Sequence, residues 1–251
     1  MKYQEIRRNC REVKIGNIAI GGKNPIAIQT MTNTDTHDAA ATVAQIRAME
    51  AAGCNIVRIT VPTLEAAETI LAIKEAGVRI PIVADIHFDY KIALRCAELG
   101  FDKIRINPGN IGEDARVKAV WDSCRAHMIP IRIGVNSGSL EKHILAKHGA
   151  PTAEALCESA LYHASLLEKF DFYDTVISIK ASTVPDMIAA NRRLAESCDY
   201  PIHLGVTEAG GGERGLIKSS IGIGAMLCDG IGDTLRVSLT DDPVLEVASA
   251  K

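Results

Sequence analysis

No two of the seven cysteines form a CxxC pair; they stand at positions 10, 54, 96, 124, 157, 198 and 228. An odd, scattered set argues against a disulfide framework, and equally against a zinc or iron-sulfur site held within this chain. Most fall in or beside helical stretches such as MEAAGC, ALRCAELG and LAESCD, where a thiol serves as a small buried hydrophobe. Aromatic residues are scarce, at 4% against 47% hydrophobic overall, a composition that suits strands and helices rich in Ile, Val, Leu and Ala. No apolar run reaches the length of about 18 residues that a membrane span requires. The N-terminal MKYQEIRRNCREVK has no apolar signal core, and a net charge of -3 offers no basic face to nucleic acid. The expectation is a cytoplasmic enzyme domain with neither a membrane nor a nucleic-acid partner.

What the chain does have is a strand pattern repeated eight times: IAIQT with Met31-Thr32, NIVRIT, PIVADIH, DKIRIN, PIRIGVN, TVISIKAS, PIHLGVTE and DTLRVSL. Successive side chains of a strand point to opposite faces. One parity is apolar (Ile26 and Ile28, Ile104 and Ile106, Ile131 and Ile133, Ile202, Leu204 and Val206). The other carries Gln29, Arg58, Asp85, His87, Arg105, Asn107, Arg132, Asn136, Lys180, His203, Thr207, Arg236 and Ser238. Helical stretches separate the strands, at about 38–52, 63–77, 90–99, 114–127, 152–170, 184–197 and 215–228, the first capped by Thr36 or His37-Asp38. This alternation predicts an α/β fold, a (β/α)8 TIM barrel, and 251 residues match the roughly 250 such a barrel needs. Residues 11–22 predict a β-hairpin turning at Gly16-Asn17 and plugging the bottom of the barrel. The expected organisation is one domain over 1–251, with 1–25 as the hairpin cap and only the start of an eighth helix after Ser238. The connection SGSLEKHILAKHG is long for its kind and is expected to cover part of the mouth.

In a closed parallel barrel the polar parity faces inward, and its late-strand members converge on the mouth where such barrels keep their chemistry. Arg58, Arg105, Arg132, Lys180 and Arg236 then meet, with Asp85 and Glu208 the two carboxylates expected on the same rim. An excess of about three positive charges in a partly desolvated cup calls for an anion. Arginine's donor fork suits phosphoryl oxygens, so a phosphate ligand is expected, with Ser238 beside the last strand adding a donor. The alternative is that the two acids neutralise two cations and solvent covers the rest. Asp85, His87 and Glu208 are the candidates for proton transfer. His37, His127, His143, His148 and His163 lie outside the inward parity and are read as surface or packing residues. The glycines of GIGAML are assigned to helix-on-strand packing.

The motifs MTNTDTHD, AGCNIVRITVP, VADIHFDYKIALR, DKIRINPGNIG, IRIGVNSGSL, SIKAS, LGVTEAGGGERGLIKSSIGIG and GDTLRVSLT together resemble the N-terminal barrel of the 4-hydroxy-3-methylbut-2-enyl diphosphate synthase family, also called IspG or GcpE. DYPIHLGVTEAGGGE is similar to its long-form branch. The resemblance implies a reductive ring opening of 2-C-methyl-D-erythritol 2,4-cyclodiphosphate in the non-mevalonate (MEP) isoprenoid pathway. It implies that Arg58, His87, Arg105, Arg132, Lys180, Arg236 and Ser238 hold the diphosphate, with Asn107 and Asn136 assisting. Thr207 and Glu208 would stand at the reacting end, Glu208 as proton donor, and Asp85 would be a second essential carboxylate. The family reduces its substrate with a [4Fe-4S] cluster in a C-terminal domain, fed by ferredoxin or flavodoxin, and pairs as a homodimer. The CPxCG-type motif of that domain is not in this sequence, so the chain is expected to bind substrate but not to turn it over alone. Two other readings remain open: a dihydropteroate-synthase-like barrel for a pterin diphosphate, and a non-catalytic binding or dimerisation module.

Overall fold

The computed structural model describes residues 6–111, 114–181 and 183–251. Residues 1–5 of the expected cap, with Gly112 and Ser182 of the quoted motifs, lie outside the described residues. Strands β1 (Glu12–Ile15) and β2 (Ile18–Gly21) form the antiparallel hairpin, with Gly16 in the left-handed conformation that its tight turn requires. Eight parallel strands follow: β3 (Ala27–Met31), β4 (Ile56–Thr60), β5 (Ile82–Asp85), β6 (Lys103–Ile106), β7 (Ile131–Asn136), β8 (Thr175–Lys180), β9 (His203–Leu204) and β10 (Thr234–Leu235). They pair in the order β8-β7-β6-β5-β4-β3-β10-β9, and a parallel bridge from Ile177 to Ile202 joins the two ends into a ring. This is the expected TIM barrel.

The two parities divide as alternation demands. Ile104, Ile106, Ile131, Ile133, Ile202, Leu204 and Val206 are buried in the layer between strands and helices. A second, smaller core joins Val13, Ile15 and Ile20 of the hairpin to Ala27, Ile56, Val83 and Val176 at the bottom of the lumen. The hairpin is therefore a plug, and each of its three buried side chains contributes roughly 1.5–3 kcal/mol.

Helices coat the barrel within a few residues of expectation. Asp38 caps Ala39–Ala51 by accepting from Ala41 N, Thr152 caps Ala153–Glu168, and Thr183 caps Val184–Ser197. Two differ. The stretch expected as one helix from 63 to 77 is two, Leu64–Ala67 and Thr69–Glu75, the first capped by Thr63. The helix expected from 215 begins at Gly212, whose N–H is held by Asp241 (3.0 Å). Within it, a Cβ at Gly222 would lie 2.8 Å from Met187 Cε and 2.9 Å from Val206 Cγ2, so this glycine does serve helix-on-strand packing, whereas Gly224 faces open space. No described helix is long and apolar enough to cross a membrane.

The long connection after β7 folds into a 3-10 turn (Ser137–Ser139) and a helix (Lys142–His148), both tied to the helix Ala153–Glu168. Glu141 pairs with His163, and Glu158 receives both Lys147 and His148 at 2.8 Å. His163 is thus buried and bonded to Glu141; although burial opposes ionisation, this contact pulls the Glu141 carboxyl down to about 2. As expected of small buried hydrophobes, Cys54, Cys96, Cys124 and Cys157 are buried, and desolvation pushes the Cys124 thiol up to about 12, leaving it inert.

Candidate functional site

At the C-terminal ends of the strands lies a cavity of about 310 Å³, lined by Arg58, Asp85, His87, Arg105, Arg132, Asn136, Ser178, Lys180, Thr207, Glu208, Arg236 and Ser238. Eleven of the twelve residues expected at the site therefore share one wall. Asn107 does not; it is buried at the end of β6, where its carbonyl accepts from Asn110 N (2.9 Å) and turns the chain into the next helix. Ser178 is an addition to the expected set, although it sits on the same parity two residues before Lys180.

Strand register explains the convergence. Asp85, Arg105 and Arg132 are direct neighbours across β5, β6 and β7, so one carboxylate stands beside two inward guanidinium groups. Asp85 receives Arg105 Nη1 at 3.0 Å and Arg58 Nε at 3.4 Å, with His87 Nε2 at 4.0 Å. Although burial opposes ionisation, Arg58, Arg105 and Arg132 hold the Asp85 carboxyl well below the usual carboxylate range. Burial lowers Arg58 to about 10 despite Asp85, and it also lowers Arg132 and Lys180, both pressed further by the neighbouring cations. A cup that disfavours its own cations in this way is stabilised by an incoming anion.

Two inward glycines make the room. A Cβ at Gly134 would fall 2.5 Å from Arg105 Nε, and one at Gly205 would fall 3.2 Å from Lys180 Cε. We expect Gly134→Ala to displace the Arg105 guanidinium and weaken anion binding about tenfold, with a loss of roughly 1–3 kcal/mol in stability from overpacking. Phosphate titration and a urea melt check this, and wild-type affinity would show that Arg105 does not contribute to binding.

The charge balance needs one correction. Glu246, on the final helix Pro243–Ala250, is a third carboxylate at the rim; it takes Arg236 Nε and Nη2, each at 2.9 Å, the Thr30 hydroxyl at 2.5 Å and Leu239 N at 3.0 Å. Arg236 is thus internally paired, contrary to expectation. A cation was also missed: Lys103, inward on β6 and fully buried. The cavity is lined by five cations and by Asp85 and Glu208, and with Arg236 paired to Glu246 the expected excess of three falls to two, since Lys103 lies deeper in the lumen. Sequence parity already pointed Lys103 inward, two residues before Arg105. For Glu246, the one signal was a lone acid among Val244, Leu245 and Val247.

Glu208 is exposed and its backbone takes φ 52, in the left-handed region where a non-glycine residue is uncommon. It follows Thr207, whose N–H bonds to Ala181 O (3.3 Å), so the turn that aims Glu208 is anchored to the end of β8.

Solved structures share the fold at low identity. The dihydropteroate synthase of Burkholderia cenocepacia has a TM-score of 0.66 at 14% identity, over 96% of this chain and 95% of that one. That of Thermus thermophilus has a TM-score of 0.59, also at 14% identity, over 96% of this chain and 97% of that one. This likeness is one of architecture alone. Much closer are two proteins named 4-hydroxy-3-methylbut-2-en-1-yl diphosphate synthase (flavodoxin). The one from Fusobacterium nucleatum is 57% identical over 98% of this chain and 69% of its own length. The one from Chromohalobacter salexigens is 59% identical over 96% of this chain and 65% of its own. The chain thus spans about two thirds of the length of these relatives. The GcpE TIM-barrel domain signature matches residues 10–251, and the chain belongs to that family.

Proposed function

We propose that this chain is the substrate-binding barrel of an enzyme that reductively opens 2-C-methyl-D-erythritol 2,4-cyclodiphosphate to 4-hydroxy-3-methylbut-2-enyl diphosphate. The observation that carries the reading is the ring of five cations from five strands around one cavity, with Arg132 Nε and Nη1 lacking a partner among the described residues. Arg58, Arg105, Arg132, Lys180 and Arg236, with His87, Asn136 and Ser238, bind the diphosphate. Asp85 orients Arg58 and Arg105; Glu246 does the same for Arg236. Asn107 assists by shaping the turn after β6. Thr207 and Glu208 meet the carbon end of the substrate, where Glu208 delivers a proton to the departing oxygen.

The electrons are a separate matter. A [4Fe-4S] cluster needs converging thiolates, and the cysteines here are dispersed, four of them buried; no group of three or more His, Cys, Asp or Glu among the described residues is placed to hold a metal. The residues present do not fit the cluster. We assign it to a further domain of the whole protein, fed by flavodoxin, with two copies pairing so that barrel and cluster domain meet. Alone, this chain binds without turning over.

Calorimetry with the cyclodiphosphate tests the reading. Binding is expected, and Arg132→Ala should weaken it by roughly 1.5–3 kcal/mol, the scale of hydrogen bonds to a charged group. Binding of a pterin diphosphate in its place would overturn the assignment, and an unchanged Kd would remove Arg132 from the site.

A further inference from the structure

Asn136 ends β7 on the wall of the mouth cavity, beside Lys180 in the strand register, and the chain leaves it through the 3-10 turn Ser137–Ser139. Beyond Leu140, Glu141 stands at the N-cap of the helix Lys142–His148, its backbone carbonyl accepting Leu145 N–H at 2.9 Å. Its side chain makes no capping bond, although a polar side chain at that position ordinarily caps. The carboxylate instead accepts from His163 Nε2, on the helix Ala153–Glu168, where the histidine side chain is 3% exposed. Leu140 packs against the barrel core and Ile144 is buried, so apolar contacts flank the acid on both sides. The Tyr162 ring lies 5.3 Å from the rings of both His143 and His163, which adds a third contact between the two helices.

This bond is a weak source of stability. Desolvation of a carboxylate and an imidazole largely offsets their attraction, and His163 Nδ1 has no partner among the described residues. A buried directional bond does supply one fixed geometry where apolar packing alone would tolerate several. The second tie between these helices differs in kind. Glu158, which takes Lys147 and His148, has a side chain 36% exposed, and such surface pairs contribute about 0–1 kcal/mol. The course of the chain just past Asn136 is therefore set by Glu141 and His163.

We propose that Glu141 and His163 are positioning residues for the mouth: their bond fixes the turn Ser137–Ser139, and through it the Asn136 amide against the bound diphosphate. Neither residue lines the cavity, so both act through Asn136. The inference rests on the diphosphate reading of the mouth.

Inorganic pyrophosphate, titrated calorimetrically into this chain, is the probe. Glu141→Leu removes the acceptor while keeping a side chain of similar size, and it should raise Kd about fivefold to tenfold, the scale of one lost hydrogen bond. Glu141→Gln, whose amide oxygen still accepts from His163 Nε2, should stay within about twofold of wild type. In an Asn136→Ala background the Glu141→Leu change should add less than about twofold, because the group it positions is gone. Glu158→Ala should leave Kd unmoved. Urea melts establish that each variant is folded, and His163→Phe breaks the same bond from the helix side should Glu141→Leu not fold. Equal fold-losses with and without the Asn136 amide, or wild-type affinity once the bond is broken, would overturn the proposal and leave the mouth a diphosphate site. A wild-type chain that does not bind pyrophosphate would overturn that reading, and this inference with it.

Discussion

Glu246→Ala is expected to lower the folding stability of this chain by roughly 3–5 kcal/mol, the cost of removing one partner of a buried ion pair. The carboxylate is 2% exposed, and its loss strands three groups together: the Arg236 guanidinium, the Thr30 hydroxyl and the Leu239 N–H. These belong to the end of β10, to β3 and to the loop beyond Ser238, so the damage spreads across the first and last strands of the ring. Urea unfolding measures it, and a loss below about 1 kcal/mol would mean that Arg236 finds another acid. Glu246→Gln separates folding from binding. The amide keeps the shape and part of the hydrogen bonding but releases Arg236 from a fixed orientation, so diphosphate affinity should fall more than stability does.

The second large effect concerns turnover. In the whole protein, Glu208→Gln should cut kcat by about 10²–10⁴-fold, the range for a positioned general acid, while substrate Kd stays nearly unchanged. The amide cannot release a proton, yet it preserves size and the backbone turn. The exposed position of Glu208 and its left-handed φ are compatible with this split, because its side chain contributes little to the core. Equal losses in affinity and turnover would make it a structural carboxylate instead.

Much of this site is visible in the strands themselves. Period-two alternation is a local property, so Arg58, Arg105, Arg132, Lys180 and Arg236 declare their inward face before any fold is known. Lys103 obeys the same rule but stands early in its strand, away from the late positions where barrel chemistry gathers; its depth in the lumen, not its parity, sets it apart. Asn107 shows the limit from the other side. It has the right parity and the right height, but the chain turns there, and its backbone carbonyl serves the bend.

The order of strands and helices, the hairpin and the inward cationic set were fixed by local pattern, since hydrophobic periodicity and turn chemistry operate within a few residues. Which acid meets which base was not. Thr30 and Glu246 are 216 residues apart in the chain, and only closure of the ring brings the last helix against the first barrel strand. Asp85 was shared between Arg58 and Arg105 by strand register, and Arg236 was paired by a helix that no strand pattern describes. Electrostatic partners depend on distance in space and on exclusion of water, and both exist only once the barrel has formed.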